Sequence, residues 1–176
     1  LAAGPIAAAA QALTPIPAIQ GSGPRSPLEG RWVRTGGVVT AVHGNGFFLQ
    51  DPRGDGDART SDALFVFTGG TPAVAAGQRL EVTGTVVEFA ATPADADGRT
   101  VTQLVQPGGI TVLAEGQSVA PVALVLPVAR VADLERLEGM LVTIPGPLTV
   151  VQTTFQARFG QLVLAAGGRL EQVDAI

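Results

Sequence analysis

Cysteine, lysine and tyrosine are missing from this 176-residue chain, and histidine and tryptophan occur once each. Without cysteine there are no disulfides, thiolate metal sites or cysteine nucleophiles. The single histidine, His43, stands at the approach to a turn with no partner set for acid–base or triad chemistry, and reads as a surface residue. No G-x-S-x-G elbow, P-loop or H-E-x-x-H motif occurs. All basic charge comes from eleven arginines, a bias that fits genomic base composition better than mechanism. The net charge of −4 excludes polyanion binding by bulk charge, so any nucleic-acid role must rest on a local patch or a bridging cation. No apolar stretch is long enough to cross a membrane as a helix.

What is present points to β-structure. Hydrophobic residues make up 46% of the chain and mean hydropathy is +0.35, enough for a packed core. Glycine (23) and proline (13) punctuate runs rich in valine and threonine, while amphipathic helical patterns are scarce. The expected class is all-β: an OB-like antiparallel barrel followed by a helix-led β segment resembling the start of a second barrel. The expected divisions are 1–16, 17–114 (the barrel), 115–130 (a linker) and 131–176 (a partial second β domain).

The first residues, 1–12, are small and apolar, and Ala10-Gln11-Ala12 has the form of a signal-peptidase site. The segment reads as a signal remnant or an alanine-rich linker; the former places the protein outside a bacterial cytoplasm, secreted or periplasmic. Residues 13–27, rich in Pro, Gly and Ser, read as an extended lead-in with an edge strand over Ile16 to Gln20.

Strands are expected over 32–42, 46–50, 63–67, 79–89, 101–105 and 110–113. Gly36-Gly37 inside the first suggests a bulge or sharp bend. Asn45-Gly46 reads as a tight turn with positive φ angles. In the strand 79–89, Leu80, Val82, Gly84 and Val86 share one face. Farther on, Val131, Leu134 and Leu137 form one face of the one credible helix, stopped by Gly139. Strands follow over 140–144, 148–151 and 159–165. Leu28-Glu29-Gly30 is echoed by Leu137-Glu138-Gly139, the hint of a second barrel; alternatively the last strands complete one larger sheet.

Two kinds of site emerge. Asp51, Asp55, Asp57 and Asp62 crowd one glycine-containing loop. They read either as a Ca²⁺ site, since that ion accepts irregular oxygen sets, or as a solvated hairpin loop; the spacing is not that of an EF-hand. Asp95 and Asp97 make a weaker pair that reads as a polar turn. For nucleic acid, OB-type barrels stack bases on aromatics over a basic groove. The candidate contacts are Arg34, Phe47, Phe48, Arg53, Arg59 and Arg79, with Arg31, Arg99 and Phe89 as further members of the pool. Adjacent Phe47 and Phe48 must face opposite ways, so one lies outside; Phe65 and Phe67 share a face that reads as core.

The run Asn45-Gly46-Phe47-Phe48-Leu49-Gln50-Asp51-Pro52, the Asp-rich loop with Thr60-Ser61-Asp62, then Val82-Thr83-Gly84-Thr85-Val86, and finally Leu134-Glu135-Arg136-Leu137-Glu138-Gly139 and Gly160-Gln161-Leu162-Val163-Leu164 occur in an order that resembles the N-terminal OB-like domain of bacterial secreted nucleases. The catalytic domain of that family is of the endonuclease/exonuclease/phosphatase type. The resemblance covers nearly everything after Pro17. It implies a non-catalytic accessory domain, with single-stranded or frayed DNA or RNA and a downstream nuclease domain of the same polypeptide as partners. None of the family's hydrolytic residues has a matching position here. The alternatives are a structural module packing on the nuclease domain without touching substrate, and a Ca²⁺-dependent surface-binding β domain.

Overall fold

A computed structural model describes residues 12–95, 99–154, 156–159 and 161–168. The elements in chain order are a short helix α1 (Ile16–Gln20), strands β1 (Trp32–His43), β2 (Gly46–Gln50), β3 (Ala63–Phe67), β4 (Arg79–Phe89), β5 (Val101–Val105), β6 (Ile110–Ala114) and β7 (Val122–Ala123), a 3₁₀ helix (Val131–Leu137), strands β8 (Val142–Thr143) and β9 (Leu148–Gln152), helix α2 (Gln156–Phe159) and strand β10 (Val163–Ala166). Residues 1–11 of the expected signal remnant, and Asp97, lie outside the described residues.

Strands β1 to β5 close on themselves in the order β1-β2-β3-β5-β4-β1. All pairings around the ring are antiparallel except β3 with β5. This is the closed five-stranded barrel expected of an OB-like chain. Strand β6 adds to the outer length of β4.

Closure depends on β1, which serves two neighbours. Its first half, from Trp32 to Val38, pairs with β4, and from Val38 onward it pairs with β2. The switch falls at Val38, directly after Gly36-Gly37. A β-carbon on Gly37 would stand 2.6 Å from the Gln50 carbonyl oxygen, and one on Gly36 would stand 2.9 Å from that of Leu80. Both positions must be glycine for three strands to meet this closely. The bulge itself comes just after, between Val39 and Ala41.

The core follows the period-two pattern. Leu80, Val82 and Val86 from β4 meet Leu49, Leu64, Val66, Val39 and Leu104 inside the barrel. Ile16 and Ile19 of α1 join them, both fully buried. The edge strand expected over Ile16 to Gln20 is therefore a helix. Pro15 and Pro17 sit where a helix's first N–H groups have no partner to lose, Gly21 N–H donates to the Pro17 carbonyl (2.8 Å), and Gly21 at φ +74° ends the turn. Two isoleucines three apart then fill one end of the barrel. Ile16 in this plug lies one residue before the expected start of the barrel.

Beyond the barrel the chain forms extra strands. The expected linker contains β7, which pairs parallel with β8, and β9 pairs with β10 as a separate hairpin. These small sheets do not extend the barrel sheet. The expected helix is a 3₁₀ helix of which Leu137 alone is buried, while Val131 stays 77% exposed. The residues that follow it are tied to the barrel. Ser61 Oγ donates to the Glu138 carbonyl (2.6 Å), the Thr102 N–H donates to Glu138 Oε1 (3.0 Å), and the Leu141 N–H donates to Gln50 Oε1 (2.8 Å).

Candidate ligand-binding face

Strands β2 and β3 each carry alternating residues, so the side chains that do not enter the core stand on the outer barrel surface. In β2, Phe47 points inward and Phe48 outward; in β3, Leu64 and Val66 point inward and Phe65 and Phe67 outward. Phe48 faces Phe65 directly across the strand pair, with ring centroids 5.0 Å apart and planes tilted by 57°. This is a favourable edge-leaning arrangement for two π systems. The rings line a groove of about 660 Å³ together with Phe67, Phe89, Val101 and Gln103. His43 and Asn45, at the β1–β2 turn, close one side, and the His43 Nδ1 lies 3.2 Å from Asn45 Oδ1.

Two expectations change here. Phe47 is 0% exposed and belongs to the core, so it is not a ligand contact. Phe65 and Phe67, read as core because they share a face, instead share the outer one. The inward positions are taken by the aliphatic Leu64 and Val66, which the narrow barrel interior accommodates. Register with β2 sets this, with Phe65 opposite Phe48 and Phe67 opposite Gly46.

The turn before β2 also differs from expectation. Neither Asn45 nor Gly46 has a positive φ. Gly46 is required for another reason: a β-carbon there would lie 2.5 Å from the Phe65 ring and would overlap the Val66 carbonyl oxygen.

The arginines expected to accompany the aromatics are elsewhere. Among the described residues no arginine lines the phenylalanine groove. Arg34 on β1 is ion-paired with Glu81 on β4. Arg59 folds back on Asp57, 2.7 Å away. Arg53 and Arg79 line a second cleft of about 430 Å³, beside Gly36-Gly37 of β1, together with the acids Asp51 and Glu81. The structure thus brings Arg53 and Arg79 to one cleft and Phe48 to another.

The acidic loop is organised by its own hydrogen bonds. Asp51, Asp55 and Asp57 each accept a backbone N–H two residues on, from Arg53 (2.9 Å), Asp57 (2.8 Å) and Arg59 (2.9 Å). These are successive Asx turns, which let a short acidic segment coil without strand pairing. Thr60 Oγ1 adds a bond to Asp55 (3.2 Å). The side-chain bond from Arg59, with its backbone N–H, holds the Asp57 carboxyl down to about 2. Asp62 lies beneath the loop. Its burial pushes the carboxyl up, a backbone N–H from Asp55 opposes this, and the charges of Asp55 and Asp51 add to the rise. Asp62 Oδ1 is enclosed without a hydrogen-bond partner. No group of three or more His, Asp or Glu side chains suited to holding a metal ion occurs among the described residues. Asp95, from the weaker acidic pair, is engaged by Arg99 (3.1 Å) and Thr92 Oγ1 (2.6 Å).

No helix among the described residues is long and apolar enough to cross a membrane. No protein-family model matches the chain, and no curated protein sequence is significantly similar to it.

Proposed function

We propose that this chain is a non-catalytic, ligand-engaging barrel whose site is the phenylalanine groove, and that it serves, as its resemblance implies, as the accessory domain of a secreted nuclease polypeptide. The carrying observation is the cluster of Phe48, Phe65 and Phe67 on the outer face of the second and third strands with Phe89 at the end of the fourth, all lining one groove. OB-type barrels take oligonucleotides on this face. In this reading the groove holds single-stranded or frayed DNA or RNA by stacking bases on the rings, each stacked base contributing roughly 1–3 kcal/mol. The phosphates stay in solvent, because no arginine lines the groove among its described residues. Binding is then stacking-driven, tolerant of sequence, and far less salt-sensitive than that of proteins that neutralise several phosphates. The acidic loop, held by its own Asx turns and by Arg59, needs no Ca²⁺ in this reading.

A second reading is favoured by the absence of Arg, Asp and Glu from the groove lining among the described residues. An exposed apolar patch with half-exposed Phe89 and Val101 suits contact with another protein surface, here the nuclease domain of the same polypeptide. Fluorescence anisotropy of a labelled single-stranded oligonucleotide distinguishes the two. Saturable binding that is lost in Phe89→Ala and changes little with salt supports nucleic-acid presentation. No binding at any salt concentration rejects it and leaves the docking module.

A further inference from the structure

We propose that Glu138 is a proton-operated clasp: protonated, it holds the segment from Leu137 to Thr143 against the barrel, and loss of its proton to solvent loosens that segment. The inference is independent of what the phenylalanine groove binds.

The geometry is that of a carboxyl shared by three elements. Glu138 Oε1 accepts from Gln20 Nε2 of α1 (3.2 Å) and from the Thr102 N–H of β5 (3.0 Å). Gln20, itself buried, also donates to the Ala63 carbonyl of β3 (2.6 Å). The carboxyl therefore joins the plug helix, the barrel wall and the segment after the 3₁₀ helix at one point. The neighbouring backbone adds the bonds from Ser61 Oγ and to Gln50 Oε1.

The surroundings disfavour a negative charge there. The charges of Glu135 on the 3₁₀ helix and Glu88 on β4 both reach Glu138 and repel a negative charge there. Glu88 is bound by the Ser26 N–H (2.7 Å), Thr100 Oγ1 (2.6 Å) and Thr102 Oγ1 (2.8 Å), all groups suited to a carboxylate. The cation facing Glu88, Arg25, is engaged by Glu29 at 2.8 Å. The two groups that bind Glu138 itself, Gln20 and the Thr102 N–H, are neutral donors, which a protonated acid's carbonyl oxygen still satisfies, if less strongly than a carboxylate does. Burial is the main cause that pushes the Glu138 carboxyl up to about 7, with Glu135 and Glu88 adding to it and the Gln20 and Thr102 bonds opposing it. Burial and the charge of Glu88 push Glu135 upward as well.

The sign follows from linkage. A carboxyl raised in the docked state binds its proton more tightly there than when released. Docking is therefore strongest below the ordinary glutamate range, weakens as pH rises, and stops changing above about 7. The loosened segment includes Gly139, which lies under Phe48, and β8, which carries β7 with it.

Hydrogen exchange of the full chain, corrected for intrinsic rates, tests this. The reporters are the Leu141 N–H, bonded to Gln50, and the Val122 and Leu124 N–H groups, bonded to the Leu141 and Thr143 carbonyls. Their protection is expected to fall by up to roughly a hundredfold from about pH 5 to about pH 8. The Val66 N–H in the barrel should keep its protection. Glu138→Gln, neutral at every pH, should abolish the trend. A wild-type protein without the trend, or the same trend in Glu138→Gln, overturns the proposal. Should that variant fail to fold, titration of the wild-type Glu138 carboxyl by NMR decides: a midpoint in the ordinary glutamate range overturns the clasp, and one near neutrality supports it.

Discussion

The ring of Phe65 occupies the space that a β-carbon on Gly46 would need, 2.5 Å from its predicted position. The groove and the barrel thus compete for the same volume at the first residue of β2, and glycine resolves the conflict. Gly46→Ala is expected to displace the Phe65 ring and cost about 1–3 kcal/mol of stability. Gly70→Ala, where the added carbon meets nothing within 4 Å, is the control and should stay within about 0.5 kcal/mol. Denaturant unfolding of both variants checks the contrast.

Adjacent phenylalanines should behave oppositely. Phe47→Ala opens a cavity in the core and is expected to destabilise the barrel by about 3–5 kcal/mol. Phe89→Ala, at a half-exposed position, should leave stability within about 0.5 kcal/mol while weakening ligand binding. Thermal melts paired with anisotropy separate the two effects; equal loss of stability in both would contradict the assignment of faces.

Thr35 lies in the barrel interior, 0% exposed, and its Oγ1 has no hydrogen-bond partner. A buried hydroxyl without a partner costs more than the methyl that would replace it. Thr35→Val is expected to raise stability by about 1 kcal/mol in urea unfolding. A loss would mean that the hydroxyl is satisfied in solution.

Calcium gives a direct test of the acidic loop. With Asp51, Asp55 and Asp57 committed to backbone N–H groups and Asp57 to Arg59, about 1 mM Ca²⁺ should leave Tm where chelator leaves it. A clear rise in Tm, lost in Asp55→Asn, would show that the ion reorganises these turns.

The barrel was legible because its strands alternate. Leu80, Val82 and Val86 could be placed inside from spacing alone, while the paired glycines of β1 marked a close approach of strands, the bulge itself falling between Val39 and Ala41. Less legible was whatever depends on which face a strand turns to the core. The run Ala63–Phe67 is apolar throughout, so nothing local says that Leu64 and Val66 go in and the larger Phe65 and Phe67 stay out. Register with β2 decides it. The plug helix was hidden by its prolines, which read as extended chain until the open end of the barrel gives Ile16 and Ile19 something to fill. The separation of arginines from phenylalanines is a property of the closed surface, on which residues a few positions apart in sequence, such as Phe48 and Arg53, come to line different clefts.

The barrel has a seam. Strands β3 and β5 meet through Phe65 with Gln103 and Val66 with Leu104, whereas β1 and β4 are paired continuously from Trp32 to Val38. Parallel pairing over so short a length is the weakest link in the ring, so it should part first under load. Phe65 and Gln103, one on each side of this seam, both line the groove. Whatever lodges there lies across the joint like a rivet, and would be felt as slower opening of the whole cylinder as well as occupancy of a surface.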